Sequence, residues 1–282
     1  FAALTGSQVI GMGTAQVRAI QTADLQQLST GVVSSLLTAQ VAALNTAQVE
    51  ALTTLQVSKL SALQLTALST AQIQAMEPDD IGALSTAAVP GFTTAQMQAL
   101  SAAQLQALSS AQVARLDALD IQALGTAQIV ALQTQHFAAL TAGQVASMTT
   151  AQIQAIEVVD LQQLKPAAIT GLTVAQVAKL TVLQVAGLES QQINVLSATQ
   201  IAAMTTEQVV AIDDADIDNL SLAAIAGLTT AQVKALTAGQ VQALTTAQIQ
   251  KLEVVDLKAL TAANVTALST AQVNALSALQ LQ

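Results

Sequence analysis

Close copies of the stretch LTTAQIQKL, Leu244 to Leu252, fill the chain without an insertion. LTTAQVKAL begins at Leu228, LSTAQIQAM at Leu68 and LSSAQVARL at Leu108. We number this octad 1 to 8 from its leucine. Position 1 is Leu, Ile, Met or Phe in all 35 octads, and position 6 is Val, Ile, Leu, Met or Phe at all 36 of its occurrences. The sequence is therefore an eight-residue repeat in which two positions are always apolar.

Neither one long helix nor a β-solenoid suits this period. Eight residues at about 100° each leave a drift of about 80° per octad, so an apolar stripe would wind around a continuous helix. Position 4 is mostly Ala and position 5 mostly Gln, and both residue types favour helices over strands. The apolar spacing of five and then three residues also differs from the two-residue alternation of a strand.

The polar positions of the octad predict a new helix start in every repeat. Position 2 is Ser, Thr, Asn or Asp in 25 of 35 octads, and position 5 is Gln in 23 of 35. This is the pattern of a capping box, and the apolar residues at positions 1 and 6 complete a hydrophobic staple. Pro78 and Pro166 both occupy position 3, the first helical site, which proline prefers.

We therefore predict an all-α solenoid of very short helices, one per octad. It is expected to form a single continuous domain over residues 1–282, with about 35 repeats. Both ends fall inside an octad, so we expect the chain to be part of a longer array or of a polymer. The predicted core includes Leu228, Val233, Leu236, Val241, Leu244, Ile249 and Leu252. The predicted caps include Thr229, Gln232, Thr245 and Gln248.

Six octads, here called the acidic octads, carry Asp at position 5 and hold 14 of the 17 acidic residues. Their position-5 residues are Asp24, Asp80, Asp120, Asp160, Asp216 and Asp256. These aspartates are separated by seven, five, five, seven and five octads, so a longer period lies over the octad.

Three interpretations of the acidic octads stay open. They are variant helix caps, lateral or assembly contacts, or divalent cation sites. The assembly hypothesis points to Asp80, Asp120, Asp160, Asp216 and Asp256. The weaker cation hypothesis, with calcium as the ion, points to Glu157, Asp160, Glu253 and Asp256, although each octad offers few ligands.

Composition argues against most other functions. There is no Cys, and His136 is the one histidine, so we expect no catalytic site, no cofactor and a structural role for His136. A net charge of −9 with eight basic residues argues against nucleic acid. Ser, Thr or Gln interrupts every apolar run, which argues against membrane insertion.

The LTxxQ(V/I)xAL pattern resembles the arrays of long, repetitive bacterial surface and secreted proteins. The resemblance implies an extracellular or cell-surface location and a structural or adhesive role. We expect a subunit of a filament or sheath, or the stalk of an adhesin, whose partner is a further copy of itself. The alternative is a soluble α-solenoid scaffold that binds a protein partner, although such surfaces usually contain aromatic and Arg residues. Ice binding by rows of Thr at position 3 is a third hypothesis.

Overall fold

The computed structural model describes residues 3–281, and every regular element in that range is a helix. Contacts divide the chain into two compact units, Phe1–Ala139 and Leu140–Gln282. Within each unit, very short helices pack on one another in repeat order. The predicted all-α solenoid is confirmed, while the prediction of one continuous domain stays a prediction.

The first unit contains sixteen described α-helices of four to six residues, which we number α1 to α16. In chain order they are Gly6–Ile10, Thr14–Arg18, Thr22–Gln26, Thr30–Ser35, Thr38–Ala43, Thr46–Glu50, Thr54–Val57, Ala62–Ala67, Thr70–Ala75, Pro78–Ala83, Thr94–Ala99, Ala102–Ala107, Ser110–Val113, Ala118–Ala123, Thr126–Ala131 and Thr134–Phe137. A short 3-10 helix, Val89–Gly91, replaces the α-helix in one octad, which contains Pro90.

The second unit contains sixteen described α-helices of the same lengths, α17 to α32, and a 3-10 helix at Asp214–Asn219. The α-helices are Ala142–Ser147, Thr150–Ala155, Val158–Leu161, Pro166–Ile169, Val174–Val177, Val182–Ala186, Ser190–Asn194, Ala198–Ala202, Thr206–Val210, Leu222–Ala226, Thr230–Ala235, Ala238–Ala243, Thr246–Ile249, Val254–Ala259, Ala262–Ala267 and Thr270–Ala275. None of the described helices in either unit has the length and apolar character that crossing a membrane requires.

A capping box starts most of the described helices, and two extended residues separate one helix from the next. In α12, the Ser101 hydroxyl accepts from the amide of Gln104 at 3.2 Å, and Gln104 Oε1 accepts from the amide of Ser101 at 3.0 Å. Leu108 and Ser109 then adopt extended backbone (ψ of 135° and 157°), and the next helix begins at Ser110. No described residue has a positive φ, so these corners do not depend on glycine. The octad itself encodes the corner.

Each helix packs mainly on the helix three octads away, as α6 does on α9 and α28 on α31. This arrangement buries the side chains of positions 1 and 6 between successive turns of the solenoid. Helices of this length are unstable alone, so burial between turns must supply most of their stability. The core residues predicted in the second unit lie at 6% exposure or less: Leu228, Val233, Leu236, Val241, Leu244, Ile249 and Leu252.

At two places, neighbouring turns approach so closely that position 8 of the octad must be glycine. A Cβ added to Gly91 would lie 2.6 Å from the Cα of Ala62 in α8. A Cβ added to Gly227 would lie at the same distance from the Cα of Ala198. Both pairs join position 8 of one octad to position 3 of an octad in the preceding turn. The small residues at these two positions therefore set the distance between turns.

We predict that Gly91→Ala lowers the free energy of unfolding by about 1–3 kcal/mol, because backbone atoms must move apart. Gly143→Ala is the matched control, since Gly143 is exposed within α17 and an added Cβ has open space around it. This control should stabilise the chain by up to about 1 kcal/mol through helix propensity. Urea denaturation followed by circular dichroism measures both changes. Equal effects of the two substitutions would contradict the close approach.

Candidate functional site

The most frequent buried polar feature of the structure is the glutamine at position 5, and we call the set of these side chains the glutamine ladder. Gln104 is 2% exposed and uses both ends of its amide. Its Oε1 accepts from the cap amide of Ser101, while its Nε2 donates to the carbonyl oxygens of Ile73 and Met76, each at 2.8 Å. Because these carbonyls lie 31 and 28 residues earlier, one side chain both caps its own helix and ties it to the preceding turn.

The same bonds recur in both units. The distance from Nε2 to the carbonyl 28 residues earlier is 2.6 Å at Gln72 and 2.9 Å at Gln128. In the second unit, the predicted cap residues Gln232 and Gln248 donate to carbonyls at the same separations. These separations exceed three octads and fall short of four. Successive turns are therefore between three and four octads apart along the chain.

His136 takes the place of a ladder glutamine. Its Nδ1 accepts from the amide of Gln133 at 3.0 Å, so its Nε2 carries the proton and donates to the carbonyl of Leu108 at 2.6 Å. The ring is fully buried. Both nitrogens thus reproduce the two ends of the glutamine amide, which gives the histidine a structural role.

We predict that Gln104→Glu lowers the free energy of unfolding by at least about 2 kcal/mol at neutral pH, because a buried carboxylate would face two carbonyl oxygens. Gln98→Glu is the control, since Gln98 is exposed in the preceding helix α11 and the substitution introduces the same charge. Urea midpoints measured at pH 7 separate the two variants. Equal midpoints would show that the ladder bond contributes no stability.

In the acidic octads an aspartate occupies the ladder position, and its shorter side chain makes different bonds. Asp80, Asp120 and Asp256 are 3%, 3% and 6% exposed. Thr230 donates its hydroxyl proton to Asp256 Oδ1 at 2.7 Å, and Ser190 donates to the half-buried Asp216 at 2.5 Å. Each hydroxyl donor lies at position 3 of its octad, 26 residues before the aspartate. An aspartate therefore accepts a bond from the neighbouring turn where a glutamine would donate one.

Burial changes the protonation of these carboxyl groups. Burial raises the pKa of Asp120 to about 6, an effect that the hydrogen bond from the amide of Asp117 partly opposes. Burial also raises the pKa of Asp80, and the hydrogen bond from the hydroxyl of Thr54 partly opposes that shift. Desolvation favours the neutral acid in both cases. The acidic octads thus place titratable groups inside the solenoid.

The three interpretations of the acidic octads can be compared with these positions. The side chains of Glu77, Glu157 and Glu253, at position 2, form no cap hydrogen bond. Among residues 3–281, no three acidic, His or Cys side chains form a group that could hold a metal ion, and this includes the octads of Glu157 and Glu253. Asp80, Asp120, Asp160 and Asp256 are buried within their units, so their carboxyl groups offer little free surface for an assembly contact.

We predict that Asp120→Asn raises the free energy of unfolding at pH 7 by at most about 3 kcal/mol and leaves it unchanged near pH 4. The pKa of Asp120 lies above that of an aspartate in the unfolded chain. The protonated, stabilising form therefore persists below about pH 4 and is lost as the pH rises to about 6. Urea midpoints across pH 4–7 test this, with Glu50→Gln as a control at an exposed carboxylate. A difference that did not vary with pH would contradict the prediction.

The fold and the ladder define a class of protein: a helical repeat solenoid whose turns are joined by buried side-chain amides. A family model described as the ALTTAQ repeat matches six segments of the chain, and the chain belongs to this family. The segments are 17–54, 73–110, 113–150, 153–190, 209–246 and 249–282. The comparison with curated proteins found no match.

The family repeat coincides with the longer period of the sequence. Each of the six matched segments begins seven residues before the position-5 aspartate of an acidic octad. The starts of the segments are therefore separated by the same numbers of octads as the acidic octads themselves. One family repeat thus contains several ladder octads and one acidic octad.

Proposed function

We propose that this ALTTAQ-repeat protein is a non-enzymatic structural component of a bacterial cell surface, either a subunit of an extracellular filament or sheath or the stalk of an adhesin. The observation that supports this most is the use of the buried polar groups. Within residues 3–281, every buried side-chain nitrogen or oxygen has a hydrogen-bond partner, and the ladder bonds join one turn to the next. These groups hold successive turns of the repeat together.

Surface composition supports the same proposal. The side chains that differ most between octads are mostly small or polar, although single leucines such as Leu63 and Leu183 are exposed, and aromatic residues make up 1% of the chain. Surfaces that bind a protein partner tightly usually contain buried Trp, Tyr or Arg. A repeat whose bonds are made between its own turns is suited to association with further copies of itself, end to end or side by side. The extracellular location rests on the resemblance of the octad to bacterial surface arrays.

Surface exposure in the producing bacterium tests this proposal. We expect an antibody against the repeat to label intact cells, and external protease to remove the label while a cytoplasmic control protein survives. Electron microscopy of material sheared from the cells should show elongated assemblies that contain the repeat. Recovery of the protein only from the cytoplasm, bound to a different protein in fixed stoichiometry, would instead favour the scaffold hypothesis.

A further inference from the structure

The glutamine ladder is interrupted for two octads in a row at residues 76–91, in the first unit, and again at residues 212–227, in the second. In each case an acidic octad with Asp at position 5 is followed by an octad with Ala there, as Asp80 is followed by Ala88. The octads on either side of each pair have glutamine at position 5. We call residues 76–91 and 212–227 the ladder gaps.

A ladder gap lacks the buried side-chain bonds that join other octads to the preceding turn. Gln96, in the octad after the first gap, donates to two carbonyls of that turn at 2.9 and 2.6 Å. The carbonyls 28 residues before position 5 of the two gap octads are those of Leu52 and Leu60. The gap side chains at this separation are a carboxyl and a methyl group, and neither a carboxylate nor a methyl group has a proton to donate.

Hydroxyl groups of the preceding turn supply the bonds across a gap instead. The Thr54 hydroxyl donates to Asp80, and the Thr66 hydroxyl donates to a backbone carbonyl of the first gap at 2.7 Å. In the second gap, Ser190 donates to Asp216 at 2.5 Å. All three donor residues are exposed, whereas Gln96 is 2% exposed. Because water competes for exposed donors, the bonds across a gap hold the turns less firmly than buried ladder bonds do.

The apolar core continues through both gaps. Ile81, Leu84 and Val89 in the first gap, and Ile217 and Leu220 in the second, are 3% exposed or less. A gap therefore retains the apolar surfaces that bring successive turns together, and it differs from the rest of the ladder in its polar bonds. Such a junction can open more easily than its neighbours and still close again.

We propose that the ladder gaps are opening points of the solenoid, at which successive turns separate before they separate elsewhere and then close again. The stability of a repeat array depends on the interfaces between neighbouring repeats, so opening begins where an interface is weakest. Tension on the chain pulls successive turns apart. A gap under tension would release its own sixteen residues while the flanking octads stay folded. The source of that tension rests on the proposed function of a filament or stalk, but the opening itself does not.

Two substitutions of Asp80 separate the missing ladder bonds from the buried charge. Asp80→Gln restores an amide that can donate to the carbonyls of Val49 and Leu52, at the usual separations of 31 and 28 residues. Asp80→Asn is the matched control, because it removes the same charge with a shorter side chain. An asparagine at position 5 reaches one carbonyl, as Asn264 does that of Leu236.

A third variant, Gln64→Asp, interrupts an intact part of the ladder. Gln64 is 2% exposed, and the octads on both sides of its own have glutamine at position 5. Thr38 lies 26 residues before it, as Thr54 lies before Asp80, so the new carboxyl group has the same kind of hydroxyl donor.

Hydrogen exchange of the 282-residue chain in low urea at pH 7, resolved to single amides by mass spectrometry, measures the opening. The amides of positions 6 and 1 are compared, because they are hydrogen-bonded in gap and ladder octads alike. In the wild type, we expect these amides in the two ladder gaps to exchange roughly 10-fold or more faster than those in the ladder octads 92–107 and 228–243.

The variants should change the exchange locally. Asp80→Gln should slow exchange in the first gap roughly 10-fold beyond the effect of Asp80→Asn, and leave the second gap unchanged. Gln64→Asp should speed exchange in its own octad by a similar factor. When single molecules are stretched, the wild type should lengthen at low force in steps of at most about 55 Å, the extended length of sixteen residues, and Asp80→Gln should lose one such step.

Equal exchange in gap and ladder octads of the wild type would overturn the inference, even if a variant failed to fold. Equal exchange in the folded Gln and Asn variants of Asp80 would also overturn it, because the charge alone would then explain the effect. These results are independent of the proposed function, which is tested on intact cells. A protein absent from the cell surface could still open at its gaps, and a protein displayed there could exchange uniformly.

Discussion

A buried primary amide that serves two turns at once is the interaction on which this fold depends. The side chain of Gln104 accepts one hydrogen bond from its own helix cap and donates two to the carbonyls of the preceding turn. Glutamate has no proton to donate when ionised, and asparagine is one methylene shorter. Asn264 illustrates the second limit, since it donates to the carbonyl of Leu236 but leaves the amide of Thr261 without the usual cap bond. His136 succeeds because its two ring nitrogens are spaced widely enough to reach both partners.

The ladder also explains why a repeat unit of eight residues is long enough to form a stable helix within the solenoid. Four to six residues give between one and two turns of helix, which are unstable without contacts from outside the segment. Two extended residues then redirect the chain and provide the next cap. Each octad thus gains its stability from octads in the neighbouring turns, while local sequence determines only where its helix starts. Each octad with a position-5 glutamine donates to one turn through that side chain and offers its backbone carbonyls to another.

Much of this fold could be predicted from the sequence, because the signals involved are local. The cap residues Thr229 and Gln232 lie three positions apart. The apolar residues at positions 1 and 6, such as Leu228 and Val233, recur in every octad and identify the core. The donor bonds of Gln232 could not be predicted in the same way. Their acceptors are backbone carbonyls, which every residue possesses, so no residue type marks the separation of 28 or 31 residues. Burial was inferred for the apolar positions but not for the glutamines.

For the acidic octads, the sequence predicts the spacing but not the burial of the aspartates. Their spacing is visible in the sequence and coincides with the family repeat, yet their burial is not, because charged residues are seldom buried. The hydroxyl partner gives no separate signal in the sequence. Thr54, Ser190 and Thr230 lie 26 residues before Asp80, Asp216 and Asp256. A Thr lies at the same spacing before ladder glutamines, as Thr46 does before Gln72, so the spacing does not mark the buried aspartates.

The acidic octads interrupt the ladder at positions that are spaced further apart than one ladder bond reaches. Asp80 cannot donate to the preceding turn, but its own octad remains tied to the following turn, because Gln112 donates to the carbonyls of Ile81 and Leu84. The next aspartate, Asp120, lies five octads further on, whereas a ladder bond spans fewer than four. Five octads exceed the reach of one ladder bond, so the octads of Asp80 and Asp120 are not joined to each other by such a bond. The solenoid can therefore include buried carboxyl groups while other octads keep their ladder bonds.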